Sequence, residues 1–291
     1  MSNQETARKL RILCFGAHPD DNDIQAGGTA ALYAQQGHRV KFVSLTNGDA
    51  GHYEMGGAEL ARRRYAETRQ AAKVFGLIEY QVLDIHDEEL EPTLVNRRRV
   101  VEIIRSFQPD LIMTPRPYDY HPDHRYTAEL VQDAAYTVTV AGFVALTPHL
   151  RLNPTVVFVS DTFQKPIPFQ PDVVVAIDDV LATKLYALHC HTSQFYEWLP
   201  YNMLETDQVP PPEDDAGRRK YLQERWLARD VRRADLYRDL LKKLYGAERG
   251  AQVRYAEAFE VCEYGAPLLE HDIPRLFPFF PTAQERQLRS V

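Results

Sequence analysis

With 291 residues, 44% of them hydrophobic and 26% charged, the chain has the make-up of a globular protein with a large core. Its formal net charge of -7 excludes a general grip on nucleic acid or an anionic membrane, since both require a basic surface. The longest apolar stretch, from Val138 to Leu146, is far short of the about 20 residues that a bilayer span takes.

The N-terminal run MSNQETARKLRILCF has no apolar segment ahead of a small-residue cleavage site, so no signal peptide is expected. Cys14, Cys190 and Cys262 are far apart and without CxxC spacing, which fits reduced thiols in a cytoplasmic protein. RILCFGA (11–17) reads as a buried parallel strand, followed by a helix from about Ala26 to Gln36 that Gly37 closes. RVKFVSLT (39–46) is the next strand, Ala58 to Phe75 an amphipathic helix, YQVLD (80–84) a strand and Leu94 to Phe107 a helix. PDLIMTP (109–115), TVVFVS (155–160) and DVVVAI (172–177) read as further strands, and Val180 to Phe195 as a helix. Residues 201–217 are proline-rich and acidic and read as a loop; Arg218 to Tyr245 reads as one helix or two broken ones. The apolar segment 254–268 packs back on the core, as a sheet edge or as a subunit contact.

Alternation of strands and helices predicts an α/β fold: a doubly wound, Rossmann-like, mostly parallel sheet flanked by helices, with a helical C-terminal extension. No boundary divides the chain, so a single domain over 1–291 is expected, with its core at about 11–196 and the loop and helical extension at about 200–291. In such sheets the working residues collect at the carboxyl ends of the strands.

Two His/Asp clusters lie at such ends. In Gly16-Ala17-His18-Pro19-Asp20-Asp21, His18 and Asp21 can converge on one cation because Pro19 bends the chain between them, which leaves Asp20 free for another task. In Tyr118-Asp119-Tyr120-His121-Pro122-Asp123-His124, Pro122 suits a first helical position and His121 and His124 face one side of that turn. The fold brings the two ends together, and His, Asp and His make the three-ligand, open-position zinc site used in catalysis. The sequence has no GxGxxG after a strand, so nucleotide binding on this sheet has no motif to support it.

These motifs, with Gly27-Gly28-Thr29, Thr46-Asn47-Gly48-Asp49, Arg64-Tyr65-Ala66-Glu67 and His191-Thr192-Ser193-Gln194, resemble the LmbE/PIG-L family of zinc-dependent N-acetylglucosamine de-N-acetylases over residues 11 to about 195. The resemblance implies His18, Asp21 and His124 as ligands of zinc or another divalent metal, and Asp20 as general base. It implies His121 as the group that stabilises the oxyanion or protonates the leaving amine, Asp123 as the residue orienting it, and Arg64 as a substrate contact. Asp23 stands where many members have Glu, at a helix-capping position or behind the metal. The expected reaction is removal of an acetyl group from an N-acetylated amino sugar or its conjugate; the alternative is a zinc-dependent amidase acting on a non-sugar amide or thiol conjugate. Asp49 and His52 fit either a pocket-lining or a turn role, and Tyr118 and Asp119 either face a sugar hydroxyl or cap a helix. His191 fits a structural histidine and His86 a loop residue. The partner expected is a small N-acetyl sugar, and a homo-oligomer is common among enzymes of this size.

Overall fold

The computed structural model describes residues 8–281; the absence of a signal peptide was read partly on residues 1–7, which lie outside them. The parallel half is built from β1 (Arg11–Gly16), α1 (Asp21–Gln35), β2 (Arg39–Ser44), α2 (Gly57–Phe75), β3 (Glu79–Val82), α3 (Leu94–Phe107), β4 (Leu111–Thr114), α4 (Pro122–Thr137) and β5 (Thr155–Val159). It is followed by β6 (Val173–Ala176), α5 (Leu181–Cys190), a π-helical turn (Gln194–Trp198), α6 (Leu199–Asn202), α7 (Asp215–Arg225), α8 (Ala228–Leu236), α9 (Arg238–Tyr245), α10 (Ala247–Gln252), β7 (Ala256–Cys262) and α11 (Ile273–Leu276). Among the described residues these strands form one sheet in the order β3-β2-β1-β4-β5-β7-β6. β1 to β5 pair in parallel, and β7 runs antiparallel to both its neighbours. The expected doubly wound α/β fold is therefore present, with helices on both faces.

The strands form where β-branched and aromatic residues run together, and β1, β4 and β5 are buried almost throughout, as strands covered on both faces must be. One core packs α1, α2 and the later helices on one face, and a second packs α3 and α4 on the other. α1 begins at Asp21, five residues before the expected start. Asn22 inside it donates to the carbonyls of Cys14 and Val43, so its polar first turn is buried with its needs met. Gly27 and Gly28 lie within α1, where it packs closely on Phe75 and Ile177.

The later half departs further from expectation. The helix read as ending at Phe195 stops at Cys190 and gives way to the π-helical turn. Residues 215–245 make three helices rather than one or two. The 254–268 segment is neither an edge nor an outer contact: β7 lies inside the sheet, pairing Val156 with Cys262 on one side and Val173 with Phe259 on the other. Among the described residues no helix is long and apolar enough to cross a membrane.

Candidate active site

The sheet reverses its winding between β1 and β4, since β2 and β3 extend it to one side and β4 and β5 to the other. That reversal opens a crevice at the carboxyl ends of β1 and β4, where the two His/Asp clusters sit. Gly16 permits the turn after β1, because a Cβ there would come within 2.8 Å of the Asp21 Cβ. The Asp21 carboxylate closes that turn: its Oδ2 accepts from the backbone N–H of Ala17 (2.9 Å) and of His18 (2.7 Å). Ser44, the last residue of β2, and Thr46 just past it donate to the Ala17 carbonyl and fix the turn from the other side. Across the crevice Pro122 opens α4, and His121 is its N-cap, its Nδ1 accepting from the Asp123 N–H.

His18, Asp21 and His124 converge. His124 Nε2 lies 3.2 Å from His18 Nδ1 and 3.4 Å from Asp21 Oδ1, and His18 Nδ1 lies 3.4 Å from Asp21 Oδ2. The outward nitrogens face carboxylates: His18 Nε2 is 2.9 Å from Asp87 Oδ1 and 3.4 Å from Asp123 Oδ2, and His124 Nδ1 is 3.1 Å from Asp119 Oδ1. A carboxylate only accepts, so it draws the ring proton outward and leaves the inner nitrogens as lone pairs. Two lone pairs and a carboxylate oxygen at this spacing repel one another unless a cation lies among them. The donor set thus fits a divalent ion held by two imidazoles and a carboxylate.

The same carboxylates favour positive charge on the two rings. Burial alone would lower the His18 pKa, but the Asp21 charge and bonds to Asp123, Asp21 and Asp87 raise it well above the usual range. His124 is pushed up to about 9, with burial opposed by Asp21 and Asp119. For Asp21, burial is outweighed by the charges of His124 and His18, which hold it well below the carboxylate range. The cluster stabilises positive charge at its centre.

Asp20 is buried beside these groups, and Arg64 Nη2 donates to its Oδ1 at 3.2 Å. Burial raises the Asp20 pKa, against the opposing charge of Arg64. Of the three adjacent arginines it is Arg64 that turns inward, where it also donates to the Gly48 carbonyl; Arg63 binds Glu197. His121 lies with its ring centroid 4.5 Å from that of His18, and the ring nitrogens of His18, His121 and His124 fall within 4.8 Å of one another. Its pKa is lowered by burial and by the charges of His18 and His124, which outweigh the upward pull of Glu88 and Asp123. The Asp123 carboxylate turns toward His18 and accepts from the Glu88 N–H, while its backbone N–H holds His121 Nδ1.

Asp49 reaches this region but its oxygens are taken, by His86 Nδ1 (2.6 Å) and by the Asp87 N–H (3.0 Å). It thereby fixes the loop that carries Asp87. Tyr118 packs near the Arg116 guanidinium, while Tyr120 sets its ring edge-on to His121 and His124. His191 is a buried structural partner of Asp23, to which Tyr80 also donates. Sequence reasoning missed Asp87, which burial alone would raise but the His18 bond and charge, helped by Arg64, bring down to about 2. Its signal was available: it follows β3 at the same end of the sheet as the two His/Asp clusters.

The family model described as PIG-L, GlcNAc-PI de-N-acetylase, matches residues 13–135. The diacetylchitobiose deacetylase of Thermococcus kodakarensis is 33% identical over 205 residues, covering 66% of this chain and 74% of that protein. The chain belongs to the PIG-L family. Among solved structures, the N,N'-diacetylchitobiose deacetylase of Pyrococcus horikoshii superposes with a TM-score of 0.67 at 24% identity, covering 90% of this chain and 88% of that one. The 4-carboxy-2-hydroxymuconate hydratase of Pseudomonas putida also gives 0.67, at 22% identity, covering 89% and 98%. The PIG-L fold therefore does not by itself choose between amide hydrolysis and hydration.

Proposed function

We propose that this chain removes the acetyl group from an N-acetylated amino sugar or its glycoside or conjugate, with His18, Asp21 and His124 holding a zinc ion. The observation that carries the reading is the convergence of two imidazole nitrogens and a carboxylate beside a second, separately held carboxylate, Asp20. The deacetylase relative at 33% identity supports amide hydrolysis over hydration. When bound, the metal polarises the amide carbonyl and brings the pKa of water toward neutrality. Arg64 holds one oxygen of Asp20, which leaves the other to take the proton of the attacking water and to deliver it to the departing nitrogen. His121 accepts at Nδ1 from the Asp123 N–H, so its ring proton sits on Nε2, which faces the exposed Glu88 carboxylate at 3.2 Å and exchanges that partner for the oxyanion of the tetrahedral adduct. Asp87 and Asp123 behind His18, and Asp119 behind His124, fix the ring tautomers.

The three cysteines are unpaired, which supports a reducing compartment such as the cytoplasm. The unbroken sheet from residue 11 to residue 262 supports a single domain. The test is primary-amine release from a panel of N-acetylglucosamine compounds with added zinc, with Asp20→Asn as control. Release by the parent and not by the variant is the expected result. Silence across the panel with metal bound would end the sugar reading and leave a non-sugar amide.

A further inference from the structure

The loop after β2 and the π-helical turn meet in a stack of aromatic rings that the chemistry above does not use. His52 and Tyr53 stack at 4.8 Å and 11°, Tyr53 and Tyr201 at 4.1 Å and 15°, and Tyr201 and Trp198 at 6.2 Å and 23°. Single exposed aromatics are ordinary, but here Tyr53 is 41% and Tyr201 47% exposed within one near-parallel stack. The stack is also braced. Glu197 accepts from Arg63 at 2.7 Å and lies 2.8 Å from His52 Nε2, and Gln194 donates to the Gly51 carbonyl at 3.1 Å. Those two residues and Trp198 come from the π-helical turn, a geometry that in other proteins concentrates at functional sites.

The stack ends beside the catalytic crevice. A Cβ on Gly51 would lie 3.1 Å from Arg64 Nη1, 3.4 Å from Asp87 Oδ2 and 3.6 Å from Trp198 Nε1. The indole thus stands across one bare stretch of backbone from the groups that hold Asp20 and His18. Among the described residues Trp198 packs against no other ring than Tyr201, and its N–H has no hydrogen-bond partner. A flat apolar surface with a free N–H at its edge matches a ligand with an apolar C–H face and hydroxyls around its rim.

We infer that Trp198, backed by Tyr201 and Tyr53, is a second sugar subsite that takes the pyranose ring joined to the acetamido sugar. This rests on the deacetylase reading and adds to it that the preferred substrate has at least two rings. One stacking surface of this kind makes a difference of about tenfold in kcat/KM.

The test compares amine release from N-acetylglucosamine and from its β-linked dimer. In Trp198→Ala the ratio of kcat/KM for dimer over monomer falls about tenfold, and in Trp198→Phe most of the ratio returns. An unchanged ratio in a folded Trp198→Ala protein, or equal loss on both sugars, overturns the subsite. Binding is read separately from turnover, by tryptophan fluorescence of Asp20→Asn titrated with the dimer. The protein has two tryptophans, and Trp226 is buried against Phe195, so the responding signal is that of Trp198. If no sugar releases amine, the deacetylase reading fails; a dimer-dependent fluorescence change would still uphold the subsite, and no change would overturn it.

Discussion

Two buried clusters of charge lie in this molecule, and they are built to opposite rules. In one, Lys184 donates to Asp230 and Glu257 at 2.8 Å each, Glu257 accepts from the Gly28 and Thr29 N–H groups, and Arg233 donates to the other oxygen of Asp230. The lysine nitrogen and all four carboxylate oxygens in that set have partners. In the crevice, by contrast, Asp123 Oδ1 and Arg64 Nε have no hydrogen-bond partner among the described residues. A satisfied network pins elements together, here α1, α5, α8 and β7; an unsatisfied one leaves capacity for something that is not protein.

Substitutions can break that contrast. Asp20→Asn should lower kcat about a thousandfold while metal content, read by atomic emission, stays at the parent level. Normal turnover in that variant would remove Asp20 from the chemistry. Lys184→Met strands two buried carboxylates and should cost about 3 kcal/mol in denaturant unfolding, with metal content unchanged. A loss of metal without a loss of stability would show that the two clusters are not separate. Asp87→Asn keeps the shape but removes the charge behind His18, and should weaken metal binding or activity by about 10- to 100-fold in a chelator competition. If metal affinity did not move, Asp87 would be a brace for Arg64 and nothing more.

Much of the parallel half could be read directly. Leu94–Phe107 is helical as its periodicity demands, and Thr93 caps it by accepting from the Asn96 N–H. The two His/Asp clusters announced themselves because strand ends converge in any doubly wound sheet. What escaped reading did so for physical reasons. The first turn of α1 is polar and buried, and no hydropathy pattern reveals that Asn22 finds its partners on β1 and β2. Asp87 sits in an acidic run that reads as solvated until the Asp49 side chain is seen to fold the loop inward. β7 gave no sign of its place, because its partners β5 and β6 lie about 80 to 100 residues upstream.

That late strand gives the chain a particular order of assembly. While the ribosome has delivered only the segment through β6, the β5 edge has no antiparallel neighbour, and α1 lacks the Glu257 carboxylate that its Gly28 and Thr29 amides require. The crevice residues have all been synthesised by then, yet the sheet that carries them is still open along one border. Open borders of this kind invite pairing with other chains. The last strand to emerge is therefore a seal for β5: threading 256–262 between two strands already made covers that long central edge and moves the border of the sheet out to the four residues of β6.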